Sequence, residues 1–475
     1  LVLPTFGDTF LRPPRSFAPK RSTLTRAVSV VSAYLFQRHP SEETPTSPTL
    51  ANARQVAGID GKDMPVEMKN DPAERLPKAL EVMGEAPRLE KVKRVVTIGI
   101  HGWFTSSNMV KSVLGEQTGT SVKFATMMHD AVHSFLEDRE LGAFNIQAIA
   151  LEGQGEVEHR IDKLYDQLVA KKEWLQAIRM ADAVFFATHS QGAVVTTQLI
   201  ARLLDQDLLR ETDTTSCYRR LAMCGIAQGP FIYLYQSLAL APYFNWVESA
   251  PARELFDFQN PESVAAIKFL EALRIILHAG VKMTTIGSLN DQVVPLYSAL
   301  FSGVSHPGIL RAVYIDSDAF RTSDFLANLI VFSIRLRNAG LSDHDLVYHV
   351  SEALAGALTG VGHSKIYEEE NVYKLAVRYH FETTHVTEAP TYLDVRADAP
   401  PLSMSFNPRD RRNPYLLTWA LRGIIEDPQV RELFGNELLA LREAYETWRP
   451  QTKVLKDVKL KLEGIRMMNW KSGKL

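Results

Sequence analysis

The sequence predicts an α/β fold in which a mostly parallel sheet is covered by helices on both faces. Three observations carry that expectation. From Val92 onward short apolar runs alternate with stretches of helical period, as successive strand-helix-strand units require. One run, Ala183-Val184-Phe185-Phe186-Ala187, enters Thr188-His189-Ser190-Gln191-Gly192 and then the helical Ala193 to Leu204. Finally, 475 residues of 45% hydrophobic content are enough to bury a large core,.

Taken in order, residues 1–91 read as a partly irregular N-terminal extension. Pro4, Pro13, Pro14, Pro19, Pro40, Pro45 and Pro48 interrupt its first part, and Ala27 to Phe36 stands apart as a mostly apolar stretch,. Up to residue 40, Asp8 is the lone acid against Arg12, Arg15, Lys20, Arg21, Arg26 and Arg38. That balance fits either a basic, proline-broken tail or an organelle-targeting segment such as a mitochondrial one. A core of residues 92–388 follows, with strands expected at Arg94 to Ile100, Asn145 to Leu151, Ala183 to Thr188, Arg220 to Ile226, Lys282 to Ile286 and Arg311 to Ile315. Val157, Ile161, Leu164 and Leu168 recur with helical period, and Leu175 and Ile178 follow in phase, so one long amphipathic helix is expected,.

Leu221 to Val247 carries no charged side chain. Gly225, Gly229, Pro230 and Pro242 break it, so it reads as a strand followed by an aromatic insert and not as a membrane span. With the helical stretch Glu262 to His278, residues 230–280 are expected to form a cap over a site. Residues 389–475 read as a C-terminal extension, helical from Tyr415 to Trp448. Its end, Lys453 to Leu475, has seven basic and two acidic side chains and alternates as Val458-Lys459-Leu460-Lys461-Leu462. A basic half-buried strand is expected there, with peripheral contact to an anionic membrane surface as the sharper reading.

A net charge of -2 gives no field to gather nucleic acid,. Two cysteines, Cys217 and Cys224, make neither a disulfide framework nor a zinc cluster,. Together with the lack of a recognisable signal peptide, this points to an intracellular, reducing setting, cytoplasmic or within an organelle. His129-Asp130-Ala131-Val132-His133 is close to HExxH, but the shorter acid and the lack of a third ligand argue against zinc. No metal or cofactor is expected.

The chemistry is expected at Ser190. In GxSxG the flanking small residues let strand and helix approach, leaving the hydroxyl exposed on a strained turn. Gly192 keeps the second small position and Thr188 replaces the first. A serine hydroxyl needs a histidine to take its proton and a carboxylate to orient the imidazole. Asp291, in the loop after Lys282 to Ile286, is the expected acid, with Asp316 and Asp318 as rivals after the next strand. Among the downstream histidines, His363 stands out because Val361-Gly362-His363-Ser364 reads as a turn. The oxyanion needs two N–H donors, assigned to Gln191 and to Trp103 after His101-Gly102, with Phe104 as the alternative.

His101-Gly102 after a strand, Thr-His-Ser-Gln-Gly at the elbow, Asp-Gln-Val-Val-Pro and Gly-His-Ser, in that order, resemble the α/β-hydrolase superfamily on its lipase and esterase side, a fungal branch being one candidate. The resemblance spans roughly Val92 to Thr384. It implies Ser190, Asp291 and His363 as a catalytic triad, and the uncharged, aromatic cap expected above suggests an apolar acyl chain or a lipid as the substrate. An acyltransferase, or a catalytically silent lipid-binding or scaffold protein, would be built on the same fold.

Overall fold

The computed structural model describes residues 1–11, 92–103, 120–140, 143–209, 217–236, 250–316, 324–354, 362–383 and 415–467. These residues fall into two compact units, one holding residues 1–3, 92–316 and 362–383, the other built mainly from residues 324–353 and 415–467.

The first unit is a seven-stranded sheet. Its strands are β1 (Val2–Leu3), β2 (Arg94–Ile100), β3 (Asn145–Leu151), β4 (Ala183–His189), β5 (Cys217–Met223), β6 (Lys282–Ser288) and β7 (Ile309–Tyr314), in the order β1-β7-β6-β5-β4-β2-β3. All neighbours pair in parallel except β1, which adds antiparallel to β7 at the edge. Parallel strands need crossovers, and the helices supply them: α1 (Thr120–Glu137), α2 (Val157–Ala170), α3 (Lys172–Met180), α4 (Gln191–Asp205), α5 (Val264–His278) and, after the last strand, α6 (Glu370–Phe381). Alternation along β4 divides its side chains between two layers. Val184 and Phe186 join the core shared with α2, α3, α4 and α5, whereas Phe185 packs edge-on against His380 and at a tilt against Phe381 of α6, which packs with α1.

Several boundaries differ from expectation. β5 begins and ends three residues earlier, because Cys224 takes φ +46 and turns the chain out of the sheet. The expected single helix through Ile178 is two, α2 and α3, broken by the extended Lys171 (φ -102, ψ 96). The stretch Glu262 to His278 was expected in a cap, but α5 is the crossover helix before β6: Phe269, Leu273, Ile276 and Leu277 lie in the main core beside Val194 and Val195 of α4. Of the rest of the expected cap, residues 237–249 lie outside the described residues.

The second unit is helical: Asp324–Asn338, Leu346–Val350, Leu416–Glu426, Pro428–Thr447 and Lys453–Lys461. The expected core of 92–388 is thus divided, since residues 324–353 group with the C-terminal helices. Phe325 packs on Tyr445 and Trp448, Phe332 packs on Phe434, and Arg335 pairs with the buried Glu437. Asp427 accepts the Gln429 and Val430 N–H groups and, with Pro428 at the first helical position, starts the longest of these helices,. The basic end is a helix and not the expected strand. Val458 and Leu462, four apart, take the buried side while Leu460 is exposed, a spacing that the i, i+2 alternation had concealed. Among the described residues no helix is long and apolar enough to cross a membrane.

Candidate active site

Ser190 stands between β4 and α4 with φ +54 and ψ -126. Positive φ in a residue that carries a Cβ costs about 1–3 kcal/mol and persists only where the surroundings impose it. Here the Ser190 N–H donates to the Met223 carbonyl at 3.0 Å and the Ser190 carbonyl accepts the Ala193 N–H at 3.0 Å. Serine at a helix start ordinarily caps it with its hydroxyl, but the Ser190 side chain makes no such bond. The elbow holds the hydroxyl without spending it on the helix.

The two flanking positions explain themselves differently. A Cβ at Gly192 would stand 2.5 Å from the His101 carbonyl oxygen and 2.8 Å from that of Ile100, so only glycine lets the loop after β2 lie against the elbow. Thr188, between Ile100 and Ala222 in the sheet, is fully buried and donates its hydroxyl to the Leu221 carbonyl at 3.0 Å. Its polar atom is satisfied within β5, which is how a threonine is accommodated here.

Asp291 lies in the loop after β6, and His363 in the short helix Gly362–Lys365 before α6. His363 Nδ1 is 2.8 Å from Asp291 Oδ2, and both side chains are almost wholly buried. Asp291 Oδ1 accepts the Val293 and Val294 N–H groups at 2.7 and 2.9 Å. Burial by itself would push the Asp291 carboxyl up. The His363 charge, its hydrogen bond and the Val294 and Val293 N–H groups outweigh burial and hold it below the ordinary carboxylate value,. An ionised carboxylate only accepts, so His363 donates from Nδ1 and keeps Nε2 as its basic nitrogen. The rival Asp316 pairs instead with Lys365 at 2.6 Å; Asp318 and Phe104 lie outside the described residues.

His189, directly before Ser190, joins the elbow to the His363 turn. Its Nε2 donates to the His363 carbonyl at 2.8 Å, and the two rings lie 4.5 Å apart. His189, Cys224 and His363 also bring ligand-type nitrogen and sulfur atoms within 4.8 Å of one another. One nitrogen of each imidazole is taken by the bonds just described. His129 and His133, by contrast, are partly exposed on α1 and bond to Asp130 and Glu137.

The assigned oxyanion donors belong to residues on either side of the same contact. Gln191 opens α4 and is buried, while Trp103 is half-buried against the apolar cluster of Ile226, Phe231, Leu234, Val293 and Val294. Tyr233 also packs on this cluster and donates to the Gln292 carbonyl at 2.6 Å. Burial and then the Asp291 charge push its phenol well above the ordinary value. A cavity of about 430 Å³ elsewhere in this unit is lined by Glu156, Glu158, Arg253, Glu254, Asp257 and Lys268 among others, and by none of Ser190, Asp291 and His363.

Two residues of this region escaped the sequence reading: His189, hidden inside the elbow motif, and Arg160. The signal for Arg160 was its phase. It lies three after Val157 and four before Leu164, on the buried stripe of α2, and its guanidinium is fully buried.

Comparison with curated protein sequences gives no match. Among solved structures the chain is similar to phospholipase PlaB of Legionella pneumophila in complex with thio-NAD, at 13% identity over 41% of this chain and 37% of that one, with a TM-score of 0.26. It spans under half the length of that phospholipase. It is also similar to the 2-hydroxy-6-oxo-6-phenylhexa-2,4-dienoate hydrolase of Rhodococcus sp. strain RHA1, at 14% identity over 48% of this chain and 83% of that one, with a TM-score of 0.26. Est1E of Butyrivibrio proteoclasticus, with bound ferulic acid, aligns at 13% identity over 55% of this chain and 94% of that one, with a TM-score of 0.25. Likeness at this level carries no argument about substrate. The family model of the YMC0/YMC35 alpha/beta hydrolase domain, however, matches residues 70–428, most of the chain and six of the seven strands, all but the antiparallel N-terminal edge strand. The chain therefore belongs to the YMC0/YMC35 alpha/beta hydrolase family.

Proposed function

We propose that this chain is a serine hydrolase that cleaves a carboxylic ester of an apolar acyl group, a lipid ester among them. The observation that carries the reading is the buried Asp291–His363 pair, 2.8 Å apart, joined through His189 to a strained serine whose hydroxyl is not used as a cap. In this reading His363 Nε2 takes the Ser190 proton as Oγ attacks the ester carbonyl. Asp291 holds the imidazole and stabilises its charged form, and the alcohol leaves with the proton from His363. Water then attacks the acyl-serine by the same route and releases the acid. The N–H groups of Gln191 and Trp103 receive the oxyanion. The apolar cluster that Trp103 packs on, with Phe231, Val293 and Val294, supports an apolar acyl chain, because such pockets are walled by apolar side chains.

A fluorophosphonate probe tests this directly. Wild-type protein is expected to label at Ser190, Ser190→Ala is expected not to, and a panel of p-nitrophenyl and glycerolipid esters should be turned over only by wild type. Folded wild-type protein that stays unlabelled would favour the silent scaffold. Labelling with acyl transfer to an added alcohol and no hydrolysis would replace hydrolase by acyltransferase.

A further inference from the structure

We infer that Arg160 is a positioning residue that sets the direction of the oxyanion donors, an inference that rests on the serine-hydrolase reading. Its guanidinium, buried on the apolar side of α2, donates from Nη2 to the His101 carbonyl at 2.8 Å and from Nη1 to the Gly102 carbonyl at 3.1 Å. The same Nη1 donates to the Gln191 side-chain Oε1 at 2.6 Å.

In a trans peptide the C=O and the N–H of the next residue point in opposite directions. The Gly102 carbonyl shares its plane with the Trp103 N–H, so drawing that carbonyl toward Arg160 turns the Trp103 N–H to the opposite side. Holding the His101 carbonyl fixes the preceding plane as well. His101 adds to this: its N–H donates to Ser121 Oγ at 3.0 Å, its Nδ1 lies beside the Gly102 carbonyl, and its Nε2 accepts the Gly153 N–H at 3.3 Å. The third acceptor, Gln191, contributes the other assigned donor through its own backbone, and its Nε2 is anchored to the Gly155 carbonyl at 3.3 Å. One guanidinium therefore ties the loop after β2 to the first residue of α4. Gly192 makes the approach sterically feasible, and Arg160 gives it a fixed orientation.

The test uses the full chain with p-nitrophenyl butyrate, a fluorophosphonate probe, an alkylboronic acid and thermal melts on four proteins: wild type, Arg160→Met, Gln191→Met and Gln191→Glu. Arg160→Met is expected to lose about 10²–10³ in kcat with KM changed less than about threefold. Boronate inhibition, which depends on the tetrahedral adduct, should weaken in parallel. Gln191→Met, which removes one acceptor, should move the same way, and Gln191→Glu, which still accepts from Arg160, should recover most of the loss. If Arg160→Met does not fold, the contrast between the two Gln191 variants decides. Wild-type kcat in Arg160→Met, equal rates in the two Gln191 variants, or a change confined to KM would overturn the role of Arg160 while leaving a labelled, active Ser190 intact. Wild-type protein that neither labels nor hydrolyses the ester would overturn the serine-hydrolase reading and this inference with it.

Discussion

A Cβ placed on Gly362 would stand 1.8 Å from the carbonyl oxygen of Asn290. The turn that carries His363 and the loop that carries Asp291 thus meet backbone to backbone, each one residue from its paired side chain. Gly362→Ala must push the two apart. Displacement of this order in a positioned catalytic pair costs about 10²-fold in rate, so kcat/KM should fall by that factor, together with a lower melting temperature. Unchanged hydrolysis in the folded variant would refute the contact's importance.

Asp291→Asn keeps the shape of the acid and removes its charge. Loss of about 10⁴-fold in kcat is expected, as for the equivalent change in other triads, with fluorophosphonate labelling slowed in proportion. The folded carboxyl is held below its ordinary 3.8, so it contributes stability above that value and loses it only as pH falls through the lower folded value. In wild type the acid limb of kcat/KM between pH 5 and 8 should therefore follow a single proton. A second ionisation in that range would contradict the assignment.

Thr188 occupies the elbow position where glycine is usual, and its hydroxyl is committed to Leu221. Thr188→Val removes that bond at nearly constant volume and should cost about 1 kcal/mol in urea denaturation. Labelling at Ser190 should keep its wild-type rate. A faster rate in Thr188→Val or Thr188→Gly would show that the threonine restrains the nucleophile.

His306 offers a separate check on stability. Burial and then the Arg311 charge hold its imidazole down to about 4, against an ordinary 6.5, and its Nδ1 accepts the Gly308 N–H at 3.0 Å. The unfolded chain binds the proton more readily than the folded one. Stability from this residue is complete above pH 6.5 and is lost progressively as pH falls toward about 4. His306→Gln should flatten that part of the profile in denaturation experiments at pH 7.5, 6 and 5. An identical slope in the variant would assign the dependence to other groups.

Much of the first unit was legible residue by residue. Arg94 to Ile100 and Asn145 to Leu151 are strands over the expected range; the first, buried from Val95 on, is the short apolar run that a buried parallel strand displays openly in sequence, and the second is the half-exposed strand at the sheet edge. Asp291 and His363 were singled out as candidates by chain order and loop context, and the fold brings them within hydrogen-bonding distance across 72 positions. The end of β5 was not legible, because it depends on the positive φ of Cys224. Nor was the helix Lys453–Lys461, whose sequence fits both periods; the burial of Val458 and Leu462 decides between them.

By itself the sequence determined the alternation of strands and helices and the turn of strand into helix at Ser190, and it singled out Asp291 and His363 as candidates, all of which rests on local periodicity and turn chemistry. Tertiary structure alone decided that α5 is a crossover helix, that residues 324–353 join the C-terminal helices, and that His189 and Arg160 hold the elbow to its neighbouring loops. The physical reason is common to all of these. Each depends on which surface a residue meets across the fold, and a buried guanidinium on an apolar stripe shows in sequence only as a misplaced charge until its carbonyl partners are brought to it.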